Sequence, residues 1–197
     1  RGVFLSGRTG TSPYTYYDTI DYVTISSQGN VQDFGNLTAN KAEGYAAANP
    51  TRGLYISGYD NGTATNAIEF ITIATTGNSQ DFGDLNAAKQ GPPAGCSNAT
   101  KGLFSNGYET SPINTIEYIT IATTGNAVNF GSLTTTPANL GACSSPTRGV
   151  FGGGYTPTLI NNIEYVTIQN QGNSVDFGDL IVPRQPTGAC SNAHGGL

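Results

Sequence analysis

Residues 162–168 read NIEYVTI, and the phrase stands three more times, as TIDYVTI at 19–25, AIEFITI at 67–73 and TIEYITI at 115–121. It is dense in β-branched and aromatic residues, the types that fit a pleated strand. It is apolar at nearly every position, as a strand covered on both faces requires. Each copy runs into a turn, SSQGN (26–30), ATTGN (74–78 and 122–126) or QNQGN (169–173). The Gly-Asn pair there supplies the φ > 0 residues of a hairpin.

The repetition extends outward on both sides. Upstream stand RGVFLSG (1–7), RGLYISGY (52–59), KGLFSNGY (101–108) and RGVFGGGY (148–155). Downstream stand VQDFGNL (31–37), SQDFGDL (79–85), AVNFGSL (127–133) and SVDFGDL (174–180). A shorter run closes each unit: GYAAANPT (44–51), AGCSNAT (94–100), GACSSPT (141–147) and GACSNAH (188–194). The chain is thus one domain, 1–197, of four copies of a unit of about 50 residues, divided near 1–51, 52–100, 101–147 and 148–197. Taking GACSS as strand A, VFGGGY as B, IEYVTI as C and VDFGDL as D, each unit predicts four antiparallel strands. Such a unit repeated radially is a propeller blade, so the expected fold class is an all-β propeller of four-stranded antiparallel blades.

Composition agrees. Among 197 residues only 11% are charged and 27 are Gly, which suits short strands and many turns. The net charge of −5 argues against nucleic acid, since phosphate binding needs a basic surface. No apolar run approaches the roughly 18 residues of a helical membrane span, so no membrane insertion is expected.

In specific residues the chain resembles the kelch family. Kelch units pair a double Gly at the end of strand B with aromatic positions on strands C and D, and the last unit has Gly152-Gly153-Gly154, Tyr165 and Phe177. It departs from that pattern where the double Gly becomes Ser6-Gly7, Ser57-Gly58 or Asn106-Gly107, and where Phe replaces the usual Trp. The consensus RGVFGGGY…NIEYVTI…TTGN…DFGDL…GACS also looks like repeats of marine bacteriophage tail-fibre and other structural proteins. That resemblance implies an extracellular virion location and attachment to a host. The partners it implies are a host-surface glycan or protein, other virion proteins, or copies of the chain itself.

The repeat is offset. The first unit has strands B, C and D, and residues 188–193 form a spare strand A that could complete it and close a four-blade ring. Assembly into a larger ring, or a longer array, is the alternative, because open sheet edges find partners.

In an antiparallel blade the A–B and C–D turns share one end and the B–C and D–A loops the other. The first set is nearly uniform. The second varies: residues 8–18 (RTGTSPYTYYD), 60–66 (DNGTATN), 109–114 (ETSPIN) and 156–161 (TPTLIN). Varied loops on a repeated scaffold are where binding residues sit. The candidates are Arg8, Tyr59, Tyr108 and Tyr155, equivalent positions expected to ring the pore mouth, and Tyr14, Tyr16, Tyr17 and Asp18 in the longest loop. Asp60, Asn61, Glu109 and Asn161 add polar partners. Tyrosine offers a flat contact and a hydroxyl at low entropy cost, which suits sugars and protein surfaces.

Other features read as structural. Asp21, Glu69, Glu117 and Glu164 recur once per unit beside Arg1, Arg52, Lys101 and Arg148, as do Asp33, Asp81, Asn129 and Asp176. One pair per unit predicts hydrogen-bonded scaffold, not catalysis or calcium. Cys96, Cys143 and Cys190 share one strand A position and predict small buried thiols without disulfides. The single His194 and the lack of clustered ligands leave no expected metal or other cofactor. The expected function is non-enzymatic binding or adhesion, with a purely structural virion role as the alternative.

Overall fold

The computed structural model describes residues 1–89, 94–105, 111, 113–186 and 188–191. The protein is all-β, with antiparallel strands and no helix among the described residues. The first unit holds β1 (Gly2–Thr9), β2 (Thr15–Val23) and β3 (Gln32–Ala42). The second holds β4 (Tyr45–Ala48), β5 (Arg52–Ile56), β6 (Tyr59–Asp60), β7 (Thr63–Thr72) and β8 (Gln80–Lys89). The third holds β9 (Ala94–Ser97), β10 (Lys101–Ser105), β11 (Thr115–Thr120) and β12 (Val128–Ser132). The fourth holds β13 (Gly141–Ser144), β14 (Arg148–Gly152), the small hairpin β15 (Tyr155–Thr156) and β16 (Thr158–Leu159), β17 (Asn162–Thr167) and β18 (Val175–Asp179).

The third and fourth units are separate four-stranded sheets, β9-β10-β11-β12 and β13-β14-β17-β18. The second repeats that order as β4-β5-β7-β8. It joins the first unit's β1-β2-β3 through β6 into one eight-stranded sheet. The first unit has three strands. Among the described residues the spare strand expected at 188–193 does not complete it: residues 188–191 belong to no strand and β1 pairs with β2 alone, while 192 and 193 lie outside the described residues. Phe4 on β1 stays 59% exposed, whereas its equivalents Tyr55, Phe104 and Phe151 are buried.

The DFG phrase makes a β-bulge in every unit. Across the strand C–strand D pair, Ile68 faces Gly83 and Glu69 faces Asp81, which leaves Phe82 as the extra residue. The same slip skips Phe34, Phe130 and Phe177. A bulge re-aims the extra side chain, here toward the next unit. Gly83 follows at φ +142, and a Cβ there would strike the Gly125 carbonyl of the following unit's turn.

The core therefore lies between units, not inside them. Phe104, Ile119, Ile121 and Ala127 of the third unit pack on Leu54, Ile56, Ile68 and Phe82 of the second. Phe151, Val166 and Ile168 of the fourth enter the third. Tyr55 and Ile71 of the second enter the first. Backbone bonds seal each junction: Gly77 N–H to Phe34 O, Gly125 N–H to Phe82 O and Gly172 N–H to Phe130 O. Asn78, Asn126 and Asn173 side-chain oxygens accept from the Asn36, Asp84 and Ser132 amides.

The repeated acids and bases do separate work at these junctions. Glu69 takes Lys41 and the Thr38 hydroxyl and amide from the first unit and Ser79 from its own. Glu117 takes Lys89 at 3.1 Å and the Asn86 amide. Glu164 takes the Thr134 hydroxyl and amide and Ser174. The recurrent Arg and Lys instead lie over an aromatic ring, as Arg52 does 4.4 Å from the Phe70 centroid. They donate across the junction, Arg1 to Ile73 O, Arg52 to Ile121 O and Lys101 to Ile168 O. The expected scaffold role holds for Glu69, Glu117 and Glu164. Their partners are not the Arg of the repeat, however, but residues on or just after strand D of the preceding unit, joined at Glu69 and Glu164 by a serine of their own unit.

Candidate functional site

Among the described residues, varied loops of neighbouring units meet at two places. Strand D of the first unit runs on past its bulge, and Lys41 and Ala42 pair with Asp60 and Tyr59 of β6. In the fourth unit Ala138 and Tyr155 exchange backbone bonds, and Gly154 donates to Arg184 O. These pairings join D–A to B–C segments at two junctions, the first unit to the second and the third to the fourth.

The first unit's B–C hairpin is the densest of these segments. β1 and β2 carry it outward with Arg8 opposite Tyr16 and Thr9 opposite Thr15. A bulge at Ser6, φ 56, re-aims the strand before it leaves the sheet. The Arg8 guanidinium stacks 3.8 Å from the Tyr14 ring centroid and pairs with Glu43 of the adjoining D–A segment. Tyr14 and Tyr16 meet edge to face at 6.5 Å. The Tyr17 hydroxyl and Thr9 Oγ1 share a hydrogen bond of 3.2 Å. The Tyr16 hydroxyl sits close to Gly62 in the next unit's hairpin. Tyr14 and Tyr17 remain 41% and 39% exposed, so two flat faces and one paired cation are open to solvent.

The remaining candidates divide. Asn61 adopts φ 46, donates its amide N–H to Asn40 O and bonds its side chain to Asp60. Both residues form the tip of one tight turn beside Tyr16. Tyr59 is half-buried and Tyr155 exposed, and neither they nor Arg8 line the cavity described below. Asn161 spends its side chain on Leu180 O, as Asn66 does on Leu85 O and Asn114 on Leu133 O. Asp18 holds that position in the first unit, and an ionised carboxylate cannot donate to a carbonyl. Asp18 therefore stays an acceptor on the rim. Tyr108 and Glu109 lie outside the described residues.

Two neighbours of the site went unread in the sequence. Glu43 is invisible until the D–A loop is laid against the B–C hairpin. Tyr45 was legible by comparing copies, because Ala94, Gly141 and Gly188 stand in its place. It lines a cavity of about 470 Å³ bounded by the strand A segments together with Val3, Leu5 and Ile71. There Tyr45 donates to Gly95 O. Burial, with Cys96 and Cys143 nearby, pushes its phenol up to about 12. Serine hydroxyls tie these segments in series: Ser97 to Ala48 O, Ser144 to Ser97 O and Ser191 to Ser144 O. The cysteines are free thiols but not uniformly buried: Cys96 is buried, Cys143 half-buried and Cys190 exposed. Burial drives Cys96 up to about 12 and also raises Cys143. Among the described residues no three His, Cys, Asp or Glu side chains gather as a metal site would need.

No protein-family model matches the chain. No curated protein matches it either. Among solved structures, one titled "Structure of YjhT" aligns with a TM-score of 0.74 and 10% sequence identity, over 95% of this chain and 70% of that one. At that identity the likeness is one of fold alone.

Proposed function

We propose that the chain is a run of kelch-like β-propeller blades that acts as a non-enzymatic binding module of the phage tail-fibre type. Its ligand is a host-surface glycan or protein, taken on the rim of B–C and D–A loops. The stacking of similar sheets about a cavity bounded by strand A segments supports the propeller reading. The observation that carries the binding reading is a contrast. The repeated charged and aromatic residues at the three junctions are absorbed by them, while the unrepeated Arg8, Tyr14, Tyr16, Tyr17 and Asp18 cluster in one hairpin with two tyrosine rings exposed. Exposed aromatic faces beside a paired Arg stack on sugar rings and anchor protein contacts.

The test is adsorption to host cells and to a glycan array by the native chain and by Tyr14→Ala/Tyr16→Ala/Tyr17→Ala. Loss of aromatic anchors predicts binding more than about 30-fold weaker. Undiminished binding by a folded triple variant would overturn the assignment and favour a spacer role in the virion.

A further inference from the structure

Three junctions of one design exist in the chain, and the two halves of a fourth are left uncovered. Every later unit presents a strand B aromatic and a cross-strand acid to its predecessor: Tyr55 with Glu69, Phe104 with Glu117, Phe151 with Glu164. On the first unit the matching pair is Phe4 with Asp21, and Phe4 is exposed. Phe4, Ile25 and Val31 are 59%, 76% and 52% exposed, although Phe104, Ile121 and Ala127 at the same positions are buried. On the fourth unit the receiving face is open, edged by the chain's own Arg184, Pro186, Gly188 and Ala189. Phe177 is 53% exposed where Phe34, Phe82 and Phe130 are buried, and nothing lies against Gly178. Cys143, Val150, Gly152, Ile163 and Leu180 line a groove of about 220 Å³ there. Their counterparts in the second unit, Ala47, Leu54, Ile56, Ile68 and Leu85, form the socket that receives Phe104.

The two open halves also match each other in ways the other halves do not. Lys41 and Lys89 reach forward to Glu69 and Glu117; the same strand D position in the fourth unit is Arg184, and the waiting acid is the shorter Asp21. A longer cation faces a shorter acid, so the reach is conserved. At the covered junctions the residues flanking the acid include at least one polar group: Thr38 with Ser79, Asn86 with Ala127, Thr134 with Ser174. Only Ile181 and Val31 are both apolar, and both are exposed, Ile181 fully so at 99%. Arg148, which lies over Tyr165, stands where Arg1, Arg52 and Lys101 donate to the next unit's strand C end.

We infer that these faces form a head-to-tail interface between two copies of this chain, with the partner's Phe4 seated in the fourth unit's groove and its Asp21 paired with Arg184. Such an interface is heterologous: two copies close into a ring if both junctions engage, and further copies extend it if they do not. The groove shares Arg184 and Pro186 with the loops of the rim, and none of Arg8, Tyr14, Tyr16 and Tyr17 lines it, so the assembly does not depend on what those residues bind.

The test is mass by light scattering and sedimentation at about 1–100 µM for the native 20.4 kDa chain, Asp21→Arg, Arg184→Glu and their equimolar mixture. The native chain is expected to form a multiple of its own mass. Each charge reversal sets like charges together at every junction and should weaken association more than about 30-fold. Mixing restores opposite charges at both junctions and should restore the assembly. Ile181→Lys, a change at a fully exposed side chain, should also yield a monomer. A native chain that stays monomeric throughout, or a mixture that fails to recover while both variants remain folded, would overturn the inference.

Discussion

Glu69 shows how a single carboxylate can join two units. Burial by itself would push its carboxyl up, but hydrogen bonds from Lys41, Ser79 and Thr38 outweigh that and hold it below the usual carboxylate range. A folded-state value below the unfolded one means the contribution is complete above the unfolded value of about 4.3 and is lost as pH falls toward the folded one. The native chain should therefore lose melting temperature more steeply than Glu69→Gln between about pH 5 and pH 3. Parallel slopes would deny the network its role. Lys41→Met removes the buried cation and leaves the Glu69 carboxylate buried without its charge partner, held only by Thr38 and Ser79, so a cost of about 3–5 kcal/mol is expected in denaturant melts. The thiols offer a check on the cavity wall. Cys96 should resist a maleimide in dilute native solution while Cys190 reacts, because one is buried with a raised thiol and the other is open.

The strand B aromatic is the decisive contact at the scale of the element. It faces the acid on strand C and enters the socket of the preceding unit. Phe104→Ala empties a fully buried site and should cost about 3–5 kcal/mol. Phe4→Ala changes an exposed side chain and should leave the dilute chain's stability within about 0.5 kcal/mol, while weakening self-association. Equal destabilisation by the two would mean that Phe4 is covered within its own chain. The strands themselves were plain in the sequence, since β-branched runs between Gly-Asn turns admit little else. The bulge at each DFG was not. A one-residue slip depends on which partner strand lies opposite, and periodicity within a strand does not carry that information.

Across the whole molecule, the units are coupled in series through nearest neighbours, as in other repeat arrays. Head-to-tail assembly as inferred above would couple stability to concentration. The native melting temperature should rise with protein concentration, and that of Arg184→Glu should not. Concentration-independent melting of the native chain would count against the head-to-tail assembly.

The sequence by itself determined the four-fold repeat, the all-β antiparallel class and the division into a uniform and a varied set of loops. Each follows from local chemistry repeated at a fixed period, which comparison of copies exposes. It also singled out Arg8 and the loop tyrosines. Only the tertiary structure decided what the repeated charges do. Glu69 meets Lys41 across 28 residues of chain, and Arg52 meets the Ile121 carbonyl across 69. Such pairings follow from how one unit is rotated on the next, not from any motif. The same rotation decided that residues 188–191 do not complete the first unit. Strand pairing is fixed within each hairpin, but the angle between units is set by side chains at the junction, and three such angles leave Phe4 and Phe177 both facing solvent.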